Sequence, residues 1–357
     1  MYKKFFMGIA AIAALTLVSC SSDDLNSLSD NSSKNEAISF DGYLGRSAVA
    51  VNGSRGSVLT KDALQKSTEG FGVFGNYNST DVQEFGSNWF NNEQVTYDAS
   101  ATPAWKYSPL KYWLPEGHID FLAYAPYDSQ YDNQVSKDNQ KLVFEVNSNI
   151  INQKDLLWAN ATNNTNKKKA DKTVTFTFKH ALAKIGYTVK TNVVGEGTTI
   201  TLNKITLAGS TAADPTKAFY TKGTIDLSKP NGTDLWTTST FPERQNFEWY
   251  KGTYNVTTSA SHPDDNREKN KDYLFVIPQN FEPGKDDLYV IVDYTINYNT
   301  GVPATMKCKV NSKIGKNFEQ GKAYTINLNI GLTPIEFNAE VNDWDPKDGE
   351  SIDASWN

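Results

Sequence analysis

The sequence predicts an all-β protein made of two β-sandwich domains in tandem, and three observations lead there. The composition suits pleated, half-buried surfaces: 18 Tyr, 18 Phe and 8 Trp stand against only 3 Met, and aromatic side chains pack well on strands. From residue 37 onward, apolar and polar residues alternate with a period of two in short runs separated by turn formers, and no long amphipathic helix is visible. The 357 residues favour two domains over one, and residues 160–172 (NATNNTNKKKADK), which contain no large apolar side chain, interrupt the pattern near the middle. The expected boundaries are 1–19 for a signal peptide, 20–36 for a flexible tether, 37–165 for the first sandwich and 166–357 for the second.

The chain opens on Lys3 and Lys4, and Phe5 to Val18 form an apolar run that is short for a membrane span. Leu17-Val18-Ser19-Cys20 closes that run with a small residue before a cysteine. This is similar to a bacterial lipobox, so Cys20 is the expected lipidation site; an ordinary signal peptide with an incidental cysteine is the alternative. Acyl chains such as palmitate would anchor the chain by apolar burial, several chains holding far better than one. Cleavage before Cys20 removes Lys3 and Lys4 and makes the chain, already at net charge −6, more acidic. Residues 21–36 (SSDDLNSLSDNSSKNE) have no hydrophobic period and read as the tether.

Short strands are expected next at Ile38 to Leu44, Phe71 to Tyr77, Ile119 to Ala125, Leu142 to Val146 and Leu156 to Ala159. Ile119 to Ala125 is apolar on nearly both faces apart from Asp120, which suits a central strand. In the second half Val174, Phe176 and Phe178 share one face, as do Val290, Val292, Tyr294, Ile296 and Tyr298. Tyr324, Ile326, Leu328 and Ile330 form another such set, and Ile335, Phe337, Ala339 and Val341 a fourth. Between 200 and 207 the phase slips, Ile200 and Leu202 having one parity and Ile205 and Leu207 the other; one extra residue near Asn203-Lys204 predicts a β-bulge. At the end, Ile352, Ala354 and Trp356 alternate with Ser351, Asp353 and Ser355, a short strand with one apolar face.

The chemistry of catalysis is missing from the motifs. There is no H-E-x-x-H, no G-x-S-x-G and no phosphate-binding loop, so neither an enzyme nor a cofactor is expected, and a paired-carboxylate glycosidase is the enzymatic reading left open. His118, His180 and His262 are isolated from one another; His180 is in phase with Val174, Phe176 and Phe178 and reads as a hydrogen-bonded core residue. Cys308 alternates with Met306 and Val310 and reads as a buried small apolar residue. With Cys20 lipidated it is the only free thiol, and no internal disulfide can form. Two acidic groups, Asp343, Asp345, Asp348 and Glu350, and Asp264, Asp265 and Asp272, do not fit the EF-hand spacing. Both read as solvated turns, with a calcium site at the first as the alternative, and no metal ligand is assigned. The acidic balance and the shortness of Lys167-Lys168-Lys169 argue against a nucleic-acid partner. Trp105, Tyr107, Tyr112 and Trp113 read as a core cluster and loop clamp, a sugar-stacking platform being the alternative.

An ordered series of short motifs then carries a resemblance. After Cys20 come Trp105-Lys106-Tyr107-Ser108-Pro109 with Lys111-Tyr112-Trp113, Ile119-Asp120-Phe121-Leu122-Ala123-Tyr124-Ala125-Pro126 and Phe178-Lys179-His180-Ala181-Leu182-Ala183-Lys184. Phe275-Val276-Ile277-Pro278-Gln279, Gly321-Lys322-Ala323-Tyr324 and Val341-Asn342-Asp343-Trp344 complete it. The set resembles the fimbrillin family of Bacteroidetes, the type V pilins. The resemblance implies two transthyretin-like Greek-key sandwiches, export as an outer-membrane surface lipoprotein and assembly into adhesive fimbriae. Asp23-Asp24 just past Cys20 is similar to the surface-export signal of such lipoproteins.

The resemblance also implies a route of assembly. A trypsin-like or Arg-specific protease removes the lipidated first strand, and a neighbouring subunit fills the vacated groove with its C-terminal strand, by β-augmentation. Ile38 and Phe40, with Gly42 and Leu44, are then the removable strand, and Arg46 and Arg55, the only arginines of the first half, the candidate cut sites. Ile352, Ala354 and Trp356 are the expected donor, with residues 334–344 as the second candidate. The implied partners are other fimbrial subunits, the protease, and the outer membrane through the lipid. The competing expectation is a non-polymerising surface lipoprotein that binds glycan or host protein through exposed aromatics. Exposure of Trp105 and Trp113 would favour it, and a groove closed by residues 38–44 would favour the pilin.

Overall fold

The strand that the sequence makes apolar on both faces lies fourth of seven in the largest sheet of the computed structural model. The structure describes residues 37–44, 59–78, 83–113, 117–136, 139–164, 173–193, 195, 197–229, 234–262, 273–282, 286–299, 304–331 and 336–343. In chain order the elements are β1 (Ser39–Leu44), α1 (Lys61–Lys66), β2 (Phe71–Asn78), β3 (Gln83–Tyr97), β4 (Trp105–Lys106), β5 (His118–Ala125), β6 (Lys141–Glu145), β7 (Leu157–Asn164), β8 (Thr173–His180), β9 (Ala183–Thr191), β10 (Thr198–Ala208), β11 (Phe219–Tyr220), β12 (Lys222–Asp226), β13 (Trp236–Thr237), β14 (Arg244–Gln245), β15 (Phe247–Val256), β16 (Leu274–Val276), β17 (Gln279–Asn280), β18 (Leu288–Tyr298), β19 (Ala304–Ile314), β20 (Asn317–Phe318), β21 (Lys322–Ile330) and β22 (Glu336–Asp343). The molecule is therefore all-β, with one helix of less than two turns and two 3-10 turns among the described residues.

The first sheet runs β1-β8-β7-β5-β2-β3-β4. Its two faces feed two different cores. Phe121 and Ala123 of β5 join Ile38, Phe40, Phe71, Phe90 and Phe176 on one side. Leu122 and Tyr124 join Phe74 and Trp158 on the other, in a core continuous with the second half of the chain. Burial on both faces is why β5 lacks the alternation of a half-exposed strand. The second half builds two four-stranded sheets, β15-β10-β18-β19 and β16-β9-β21-β22, whose inner residues, among them Ile205, Val292, Ile185 and Ile326, share that second core.

The period-two expectations hold where side chains are described. Val174, Phe176, Phe178 and His180 are the buried positions of β8, and Tyr324, Ile326, Leu328 and Ile330 those of β21. The β-bulge occurs where the phase slips: β10 shifts register between Leu202 and Lys204 against both β15 and β18. His180 is buried, its Nδ1 2.8 Å from Asp155 Oδ2. His118 is half-exposed beside Asp120, and His262 packs on Tyr187.

Other expectations are corrected. Cys308 is half-buried rather than buried, and Met306 is 46% exposed, because β19 ends its sheet and its inner face is only partly covered. Strand β7 runs through Asn164, five residues into the polar stretch, because side-chain amides there find backbone partners. Asn164 Nδ2 donates to Ala161 O at 2.9 Å, and Asn160 Nδ2 donates to Lys229 O at 3.0 Å. Three strand pairings join residues on the two sides of residue 165. Strand β8, beyond it, pairs with β1 and β7, while β6, before it, pairs with β12.

Candidate functional site

The first strand is the place where sequence expectation and structure meet most closely. Ile38 and Phe40 are each 1% exposed and Leu44 is buried with them, whereas Asp41 points to solvent. Alternation of this kind makes the segment a strand with one core face. It lies parallel to β8, in register from Ser39↔Thr173 to Leu44↔Phe178. Strand β8 meets its other neighbour, β7, only at Leu157↔His180 and Trp158↔Lys179. Over residues 173–178 its strand partner among the described residues is therefore β1.

A clasp made by residues 107–112 holds the two residues that lead into β1. Ala37 bridges Tyr112, Ile38 N donates to Lys111 O at 2.8 Å, and Tyr107 Oη donates to Ile38 O at 2.8 Å. Burial pushes the Tyr107 phenol up to about 12, so it remains a donor through the physiological range. The Lys111 ammonium is 3.0 Å from Glu93 and lies over the Phe90 ring, which fixes the clasp from beneath. β1, an end strand of the first sheet, is thus a seam between β8 and the clasp.

Inside the seam the side chains occupy subsites of different size. Phe40 sits among Phe90, Phe121 and Tyr107, each with its ring centroid 5.4 Å away, and Phe176 at 5.7 Å. Burying such a ring contributes about 1.5–3 kcal/mol, and each favourable ring pair about 0.5–1.5 kcal/mol more. Two residues on, the space is small: a β-carbon on Gly42 would lie 3.3 Å from Phe71, 3.4 Å from Trp105 and 3.5 Å from Phe178. The site therefore takes a large, a large, a small and a large residue, at Ile38, Phe40, Gly42 and Leu44.

The chain is anchored again soon after β1. Leu59 N donates to Asp155 Oδ2 at 2.9 Å, the same oxygen that meets His180. Thr60 caps α1 by accepting from Ala63 N, and Leu64 is buried in the core that β1 helps fill. This anchor was not legible in the sequence, where Asp155 stands alone. Arg46 and Arg55 fall between the two anchored stems in sequence and lie outside the described residues, as do Cys20, Ile352, Ala354 and Trp356. The second donor candidate is partly described: β22 is an edge strand, paired antiparallel with β21 from Lys322↔Asp343 to Asn329↔Glu336.

Of the aromatic cluster, Trp105, Tyr107 and Trp113 are buried, and Tyr112 is 47% exposed on the clasp. The acidic groups expected in turns lie outside the described residues except for Asp343, which ends β22. Among the described residues no group of His, Cys, Asp or Glu is arranged to hold a metal ion.

Comparison with known proteins bears on this site. Residues 58–344 match the family model described as fimbrillin-like, a span that begins just past Arg55. A fimbrial protein from Bacteroides vulgatus ATCC 8482 superposes with a TM-score of 0.64 at 21% identity, covering 87% of this chain and 100% of that one. A fimbrial assembly protein from Parabacteroides distasonis ATCC 8503 gives 0.38 at 12% identity, covering 84% of this chain and 96% of that one. No curated protein matches the chain.

Proposed function

The chain belongs to the fimbrillin-like family, a family of fimbrial surface proteins, and on that premise we propose that it is a subunit or accessory protein of an adhesive fimbrium, assembled after loss of β1. The observation that carries the proposal is the seam. A strand held by one ladder and a clasp supplies Ile38, Phe40 and Leu44 to a core, so its departure opens an apolar slot ready for another strand. While it stays, β1 keeps β8 from being an open edge, which would be an aggregation liability.

In this reading Cys20 carries the lipid that holds the precursor at the outer membrane. An Arg-specific or trypsin-like protease cuts after Arg46 or Arg55, and the lipidated stem leaves with β1. The Leu59–Asp155 hydrogen bond supports the reading, because it holds the downstream side of the cut in place. The slot is refilled by a strand from the C-terminal region of another subunit, either Ile352, Ala354 and Trp356 or residues 334–344. The two-domain, transthyretin-like division belongs to the same proposal. The reading as a glycan-binding surface protein relied on exposed Trp105 and Trp113, and both are buried.

Limited trypsin digestion followed by mass spectrometry and electron microscopy tests the proposal. The expected first cuts follow Arg46 or Arg55, leaving a resistant product that forms fibres. A first cut within the described strands, or a cleanly trimmed product that stays monomeric, would overturn it. Cys20→Ala should lose label from a fatty-acid analogue; equal labelling would remove the lipid anchor from the account.

A further inference from the structure

Away from the seam, the chain between β5 and β7 folds around a cleft of about 180 Å3. Two 3-10 turns frame it. Ser129–Tyr131 is capped by Asp128, whose side chain accepts from Gln130 N, and Ile150–Asn152 is capped by Asn149, whose side chain accepts from Ile151 N. Phe144, Val146 and Leu156 are buried and give the cleft apolar walls, while Asn147 and Asn152 are exposed at its rim. No residue of β1 lines it, and neither does Trp105 or Trp113.

Three features equip this cleft for a ligand. The first is a hydroxyl. Tyr131 lines the cleft and is 3% exposed, with its ring edge-on to Tyr124 at 4.9 Å. Its hydroxyl has no hydrogen-bond partner among the described residues. Burial, with Asp128 nearby, pushes the phenol up, so it stays a donor. A hydroxyl so placed is costly until a polar group meets it. The second is a pair of amides. Asn147 uses its Oδ1 to accept from Asn149 N and keeps its Nδ2, and the Asn152 side chain has no partner among the described residues. An amide offers donor and acceptor side by side, which suits the neighbouring hydroxyls of a sugar. The third is charge. Lys154 is 3.0 Å from Glu69, Glu145 is 3.0 Å from Lys222, and Asp128 accepts from Gln130 N and Nε2. The charges that line the cleft are therefore already paired, and two carboxylates against one ammonium disfavour an anion there.

The cleft is also held in shape. Gln153, itself 3% exposed, donates from Nε2 to Asn147 O at 3.1 Å and accepts at Oε1 from Phe275 N at 2.8 Å. A preformed shape lowers the ordering cost of binding. From this we infer that the cleft binds one neutral sugar unit of a glycan, with the C–H face of the sugar against Phe144, Val146 and Leu156 and its hydroxyls on Tyr131, Asn147 and Asn152. Apolar walls with a few placed polar groups are the common build of small-molecule sites, and a volume below the roughly 300–1,000 Å3 of drug-sized pockets limits the occupant to about one ring. The inference goes beyond the proposed assembly and does not rest on the loss of β1. In an assembled fimbrium every subunit would present one such cleft, so weak single-site binding would be strengthened by multivalency.

Saturation-transfer NMR on the uncut full chain tests the inference. Glucose, galactose, mannose and N-acetylglucosamine are the neutral probes, and glucuronic acid is the anionic one. The expected result is transfer to the ring protons of at least one neutral sugar and none to glucuronic acid. Tyr131→Phe keeps the ring and removes only the hydroxyl, so it should leave thermal unfolding unchanged and weaken that binding roughly tenfold or more. Asn152→Ala, at an exposed position, should weaken it as well, and it decides alone if Tyr131→Phe lowers stability. No transfer to any neutral probe would overturn the inference. So would binding that the two variants retain in full, or stronger binding of glucuronic acid. These outcomes would leave the proposed assembly standing, whereas sugar binding by a chain that never forms fibres would uphold the cleft and overturn the assembly.

Discussion

Strands β1 and β19 both end their sheets, and they treat that position in opposite ways. β1 buries Ile38, Phe40 and Leu44 in an aromatic core and leaves Asp41 outside. β19 exposes Met306, Lys307 and Lys309 and buries only Ile314. Lysines along an edge discourage another chain from pairing there, and Lys313 is further tied to Asp287 at 2.6 Å. Position in a sheet therefore does not mark an assembly surface. In the proposed assembly, what marks it is an end strand that contributes heavily to a core, because its removal would leave both unpaired backbone and uncovered apolar surface.

The largest effect expected from this contrast is on stability. Phe40→Ala should cost the uncut chain about 3–5 kcal/mol, while Met306→Ala on β19 should cost less than about 1 kcal/mol. Urea denaturation of both variants decides, and similar losses would break the comparison. A smaller loss, about 1–3 kcal/mol, is expected from Gly42→Leu, which overfills the subsite between Phe71, Trp105 and Phe178. Lys309→Leu on the other edge should leave folding unchanged and raise the rate of aggregation, measured by light scattering.

A further, pH-dependent effect is expected on β9. Burial pushes the Lys184 ammonium down from its ordinary 10.5 to about 8, with Asp155 opposing the shift. Between about pH 8 and 10.5 the unfolded chain holds a proton on this residue that the folded chain has lost. Stability from this group therefore rises with pH across that window and is flat below it. Lys184→Met should abolish that rise without changing fibre formation. A pH profile of thermal unfolding superposing on that of the unsubstituted chain would contradict the assignment.

How much of this was legible in the sequence depends on what kind of burial each segment has. Segments with one buried face, such as Thr173–His180 and Tyr324–Ile330, announce themselves by alternation. Gln83–Tyr97, the longest strand, did not, since Asn, Gln and Glu dominate it and Asn92 takes a positive φ of 56° that breaks its regularity. Polar Asn160–Asn164 likewise hid the end of β7, because a ladder beside β5 does not require apolar side chains. At the seam, Ile38 and Phe40 were legible from parity. The clasp was not, for it is built from main-chain groups and the Tyr107 hydroxyl, which no side-chain period encodes. The Leu59–Asp155 anchor joins residues far apart in sequence and had no signal at all.

The central claim, that β1 is the removable partner of β8, can be read directly by hydrogen exchange. Amides of Thr173–Phe178 would be followed by mass spectrometry in the uncut chain, after excision of β1, and in assembled fibres, with β18 as the reference segment. The expected outcome is strong protection in the uncut chain, a fall of roughly a hundredfold or more on excision, recovery in the fibre, and no change in β18. Protection of Thr173–Phe178 that is the same before and after excision would contradict it.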